Sequence, residues 1–316
     1  MNISHNKGIK MSFSADWLMD RIRLKRRLRI WQTVGIVGLC AFVLALAARF
    51  DVIGQGDHIA RLWIEGVIQD DIERDQLITE MTNDDSIKAV IIRINSPGGT
   101  VVGGEALYRN LRELASKKPV VAVLGEVAAS AGYMTAIAAD YIVAREGTIT
   151  GSIGVLMQSA DLTGLLDKVG IKPVVIKSSP LKAAPNPMEV MTPEVLAVTE
   201  NVIMDMYQMF LGMVVERRPL NIAEAKKLAD GRIFTGRQAL KAKLIDATGS
   251  ETTAFQWLKD EKNIKSDLEI EDVVYGDDSM WAGAESHLIQ MFFDNTLVSK
   301  GLSLDGLISI WQPNFK

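Results

Sequence analysis

The chain has 316 residues, 48% of them hydrophobic, and a formal net charge of −4. That is enough apolar material for a large core in one or two domains. No basic excess points to nucleic acid, and a single cysteine, Cys40, excludes an intrachain disulfide and a thiolate zinc site.

The first element is a membrane-anchor pattern. Arg21, Arg23, Lys25, Arg26, Arg27 and Arg29 precede an uncharged apolar run from Ile30 to Ala48. At ~1.5 Å per residue this run spans about 28 Å, close to a ~30 Å hydrocarbon core. The cationic flank assigns residues 1–29 to the cytoplasm, 30–48 to a single transmembrane helix, and all that follows to the far side. A cleaved signal peptide ending at Ala45–Ala48 is the rival reading. The run is long for such a segment, which favours an uncleaved anchor.

Beyond a short polar link, "HIARLWIEGVI" predicts a strand. "DDIERDQLITEMTN" predicts a helix with Ile72, Leu77, Ile78 and Met81 on one side. "KAVIIRI" is a second strand that meets Ser96, Pro97, Gly98 and Gly99. A helix follows, with Ala106, Leu107, Leu111 and Leu114 as its apolar stripe. "PVVAVLG" and "DYIVA" are further strands around a short apolar helix, "AGYMTAIAA". "LTGLLDKVG" predicts a helix, "KPVVIK" a strand, and Thr192–Arg218 a long helix. Continuous apolar strands alternating with helices predict a parallel sheet covered on both faces, with ligands at the carboxyl ends of the strands. Polarity rises after Lys259, which sets the expected core domain at 55–265 and leaves 266–316 as an apolar but broken segment suited to subunit contact.

The chemistry-bearing residues lie at two of those strand ends. His5, His58 and His287 are the only histidines, and none is predicted near one, so a serine–histidine triad has few candidates. Ser130 falls between a strand and a helix start, where its hydroxyl and the N–H of Ala131 face outward. That suits a nucleophile with its own oxyanion donor, and it equally suits an N-cap serine without catalytic duty. The Gly98–Gly99 pair can bare further amides. A lysine serves as base only where apolar surroundings lower its ordinary pKa of ~10.4. Lys182, set among Pro180, Leu181, Ala183, Ala184 and Pro185, is the best candidate.

Together, "INSPGG", "VAASAGY", "TGSIGV", "IKSSPLKAAPNP" and "DGRIFTGRQALKAKLID" resemble, in order, the motifs of the bacterial signal peptide peptidase family. These are membrane-anchored serine proteases with a Ser–Lys dyad. The resemblance runs from about His58 to Gly249 and matches the short, single-module form. It implies a crotonase- or Clp-protease-like α/β fold, a mixed and mostly parallel sheet with flanking helices. Ser130 would be the nucleophile, Lys182 the general base, and Ser152 the group orienting the lysine. Gly98 or Gly99 with Ala131 would bind the oxyanion. No cofactor or metal is implied. The implied partners are remnant signal peptides or other apolar peptides, membrane lipid around the N-terminal helix, and further copies of the chain in a ring, with each dyad completed either within one subunit or across two. The implied location is the bacterial inner membrane, with the catalytic domain periplasmic. The rivals are a crotonase-like acyl-thioester enzyme using Glu105 and Glu126, and an inactive membrane scaffold.

Overall fold

The computed structural model describes residues 25–42 and 56–273, and the backbone of 308–310. The chain divides into two compact units, Met1–Gly56 and Asp57–Lys316. In the first, residues 25–42 form helix α1, whose side chains are all exposed, among them Trp31 and Phe42. Among the described residues no helix is long and apolar enough to cross a membrane. The expected span, 30–48, passes outside the described residues after 42.

The second unit is built on one sheet. β1 (His58–Ile68), β2 (Ile87–Thr100), β3 (Val120–Ala129) and β4 (Tyr141–Ala144) pair in parallel. Their Val- and Ile-rich stretches are buried because helices cover both faces. On one face Leu62, Ile92, Ile94 and Leu124 pack with α3 (Val101–Lys117) and α4 (Ala131–Ala136) through Leu107, Leu111 and Tyr133. On the other, Ile59, Ile91, Val121 and Val143 pack against Ala254 and Leu258 of α9 (Glu251–Lys262). Each fully buried Leu or Ile contributes roughly 1.5–3 kcal/mol.

The remaining elements follow in chain order. α2 (Ile72–Asn83) joins β1 to β2. β5 (Ile149–Gly151) pairs with β3 and, antiparallel, with β6 (Ile233–Thr235). α5 (Thr163–Lys168), α6 (Pro193–Arg217), α7 (Ile222–Leu228), α8 (Gly236–Lys241) and β7 (Ala247–Thr248) complete the unit up to α9. β8 (Glu269–Val273), past the expected boundary at 265, pairs with β1. β9 (Ile308–Ile310) pairs antiparallel with β2.

Four local expectations change. β2 does not stop at Pro97 but continues to Thr100, because Gly98 and Gly99 still pair with Val67 and Ile68. Ile72 is 72% exposed, whereas Ile78 and Met81 of its stripe are buried and Leu77 packs against the same core, partly buried. Ala106 is only partly buried, and Tyr108 takes the core position beside Leu107. "KPVVIK" forms no strand: Val174 and Ile176 are 86% and 96% exposed, and none of the described strands pairs with them. A strand pattern without a partner edge has nothing to satisfy its amides.

Candidate active site

The site is set by a break in the β2–β3 register. Ile94 pairs with Leu124, but Ser96 pairs with Ala128, so β3 carries extra residues opposite Asn95. The Asn95 Oδ1 closes this bulge by accepting the N–H groups of Glu126 and Val127, both at 3.2 Å. Ser96 is fully buried; its Oγ accepts the N–H of Gly98 at 3.1 Å and donates to the Gly98 carbonyl at 3.2 Å. Gly98 has φ 125°, a conformation that side chains resist. Gly99 lies so close to β1 that a Cβ there would sit 1.8 Å from the Ile68 carbonyl oxygen.

The bulge delivers β3 to Ser130. This serine is 1% exposed and has φ 57° and ψ −118°. It stands in the N-cap position of α4, yet its side chain makes no capping hydrogen bond. Its N–H donates to the Gly151 carbonyl at 2.8 Å. Gly132, one residue past Ala131, packs on Ser96: a Cβ there would lie 2.9 Å from the Ser96 carbonyl oxygen. The start of α4 and the Ser96–Gly99 stretch therefore touch.

Ser152 follows directly. Gly151 has φ 83°, and a Cβ on it would meet Phe234 Cδ2 at 2.6 Å. Ser152 has φ 50°, and its N–H donates to the Arg232 carbonyl at 2.8 Å. The "DGRIFTG" motif is thus the support of the Ser152 turn. Arg232 also clasps Asp230 and holds that carboxyl at about 2. Farther on, Asp246 receives Arg218 on both oxygens, at 2.9 and 3.0 Å, and the Ile142 N–H at 2.8 Å. The Tyr133 hydroxyl donates to the Leu244 carbonyl at 2.8 Å, and burial pushes its pKa up.

Lys182 stands apart. It is exposed, in a turn where its N–H donates to the Ser179 carbonyl at 3.1 Å. Its ammonium has no hydrogen bond or ion pair to Ser130 or Ser152 within the chain. The loop around it is tied internally. Lys177 pairs with Glu189, and Asn186 Nδ2 bonds both Glu189, at 2.6 Å, and the Ala183 carbonyl, at 3.0 Å. These donors hold the Glu189 carboxyl below its usual range, with Lys177 the larger cause.

One chain thus gathers Ser130, Ser152, Gly98, Gly99 and Ala131, and leaves Lys182 in solvent. Sequence reasoning assigned no role to Asn95 or to the Ser96 hydroxyl, two adjacent polar residues that follow the mainly apolar stretch 89–94. Of the carboxylates of the thioester alternative, Glu126 is exposed and Glu105 is paired with Arg109 at 2.7 Å.

The model of peptidase family S49 matches residues 112–265, and that of Clp protease matches residues 59–146. A Synechocystis protein named as a protease is 40% identical over 200 residues, covering 63% of this chain and 72% of the relative. An Enterococcus faecium protein named as a signal peptide peptidase is 31% identical over 241 residues, covering 71% and 70%. A solved ClpP1 variant from Listeria monocytogenes has a TM-score of 0.41 and 17% identity, over 60% of this chain and 91% of that one. This chain covers more than two thirds of both protease relatives at 40% and 31% identity, and it belongs to peptidase family S49.

Proposed function

We propose that the protein is a membrane-bound serine endopeptidase that hydrolyses apolar peptides, remnant signal peptides among them, through an acyl-enzyme on Ser130. The observation that carries this reading is the Ser130 hydroxyl. It is buried at a helix start in a left-handed backbone conformation and caps nothing. A structural N-cap serine would take an extended conformation and bond the first turn, as Thr100 and Thr192 do.

In this reading the Ser130 Oγ attacks the scissile carbonyl while the Lys182 Nζ takes its proton. The oxyanion is met by the N–H of Ala131 and by Gly99. Gly98 is the weaker donor, because Ser96 already engages its N–H. Lys182 then passes the proton to the leaving amine, and water releases the acyl group. Ser152, joined to Ser130 through Gly151, is placed to receive the lysine head.

That lysine would come from a neighbouring copy. Its exposure supports this, and so does the apolar surface around it: Val174, Ile176, Val190 and Leu165 are all more than half exposed. A homo-oligomer covering this face would bury the ammonium and lower its proton affinity. The exposed, uncharged stretch 30–42 of α1, preceded by the cations Lys25, Arg26, Arg27 and Arg29, supports anchoring in the inner membrane, with the peptidase unit on the periplasmic side.

The test is labelling with a fluorophosphonate serine reagent. Wild type should be labelled, while Ser130→Ala should be unlabelled and inactive on a leucine-rich fluorogenic peptide. Equal labelling of both would remove Ser130 from the chemistry.

A further inference from the structure

The turn that carries Ser130 and Ala131 is packed against two other elements. One is β2: a Cβ on Gly132 would lie 2.9 Å from the Ser96 carbonyl oxygen. The other is α3, through Gly104, which is buried near its start. A Cβ on Gly104 would lie 3.0 Å from the Ala131 Cβ, 3.5 Å from the Ala131 Cα and 3.1 Å from Met134 Sδ. α3 is itself fixed at this point, since a Cβ on Gly103 would lie 2.4 Å from the Gln69 carbonyl carbon, in the link between β1 and α2. The far end of α4 is tied as well. Arg112 of α3 donates to the Ala138 carbonyl at 2.8 Å, and Arg217 of α6 donates to the Ile137 and Ala139 carbonyls, both at 3.1 Å.

We infer that Gly104 is a positioning residue for the oxyanion donor, its bare Cα letting α3 seat Ala131 so that the Ala131 N–H meets the developing charge. The inference rests on the Ser130 reading above. Gly104 lies within a regular helix, where alanine is the better residue, so the glycine calls for a packing reason. Ala131 supplies it. A methyl added at Gly104 has to push something aside, because a packed interior leaves no spare room. Met134 can swing its sulfur away, being unbranched and flexible. The Ala131 Cβ has no such freedom: it moves only with its own backbone, and hence with the N–H. α4 cannot follow as a body, because its far end is tied and Gly132 abuts Ser96. The turn must therefore tilt. An oxyanion donor works only within ~2.7–3.1 Å of the oxygen it serves. Misplacement by about 1 Å can cost about a hundredfold in rate. A donor that acts only in the transition state shows its loss in kcat and leaves KM largely alone.

The test is a double-mutant cycle on the full-length chain in detergent. Hydrolysis of the leucine-rich fluorogenic peptide is measured, with active sites counted by fluorophosphonate labelling. Gly104→Ala should lower kcat roughly ten- to hundredfold, with KM within about twofold of wild type. Ala131→Gly keeps the N–H but removes the methyl that Gly104 seats, and should lower kcat roughly three- to tenfold. The double variant moves the methyl across the contact, and its kcat should exceed that of Gly104→Ala by at least about threefold. A folded Gly104→Ala with wild-type kcat, a loss that appears in KM instead, or a double variant no faster than Gly104→Ala overturns the inference alone. Should Gly104→Ala give no folded chain, the double variant decides: it should fold and hydrolyse, and failure to do either overturns the inference. A wild-type chain that takes no fluorophosphonate and hydrolyses nothing contradicts the peptidase reading, and the positioning role falls with it.

Discussion

Ser130 holds a backbone conformation that glycine adopts freely and other residues resist, at a cost of order 1–3 kcal/mol. Ser130→Gly should therefore raise the thermal midpoint, by about 1 kcal/mol in stability, while reducing peptide hydrolysis at least ~10⁴-fold. Calorimetry beside a peptidase assay checks both. A lowered midpoint would mean that the conformation is not strained. Asn95 acts at one remove, by holding the β3 bulge. Asn95→Ala removes the acceptor of the Glu126 and Val127 amides, which water can reach, and should cost about 0.5–1.5 kcal/mol and lower kcat more than it raises KM. Gly99 and Gly151 sit where backbone or Phe234 occupies the space of a side chain. Their place in the motifs was legible, but the atom each avoids was not, because it comes from a distant part of the chain.

At the scale of elements, the strands β1 to β4 and helices α3, α4 and α6 follow from apolar runs and 3.6-residue spacing, since those patterns record burial on this chain's own sheet. Where burial depends on something else, the pattern misleads. "KPVVIK" has the composition of a strand, and none of the described strands pairs with it. The long α6 buries Phe210, Leu211 and Val214 near its end, while Val198, Val202 and Met204 nearer its start stay exposed. The Lys182 loop belongs to the same exposed region, and its shape is held by the Lys177–Glu189–Asn186 clasp. Glu189 titrates below its ordinary value, so the clasp is intact above the usual carboxylate pKa of ~4.3 and is lost as pH falls through the depressed value. Glu189→Gln, which removes the charge at every pH, should lower kcat several-fold at pH 7 without changing the thermal midpoint of the sheet. Unchanged kcat would mean that the clasp does not position Lys182.

The whole molecule has an edge strand, β8, whose attachment is partly ionic. Arg61 donates to both oxygens of Asp272, at 2.6 and 2.8 Å, and Trp63 adds a third bond at 2.7 Å. Arg61 first, then Trp63, bring Asp272 to about 2. A depressed carboxylate stabilises the fold above its unfolded value of ~3.9 and loses that contribution as pH falls toward 2. Acid unfolding should begin at the β1–β8 edge, and Asp272→Asn should flatten the stability profile in that window, as followed by amide exchange at 269–273.

The account's central claim is that Ser130 of one copy and Lys182 of another make one catalytic pair. Mixing separately inactive Ser130→Ala and Lys182→Ala chains, unfolded together and reassembled, tests it most directly. In a random ring of equal parts, roughly a quarter of the sites combine an intact serine with an intact lysine, and about that share of wild-type hydrolysis should return. A mixture as silent as its components, or a Lys182→Ala chain as active as wild type, would contradict it.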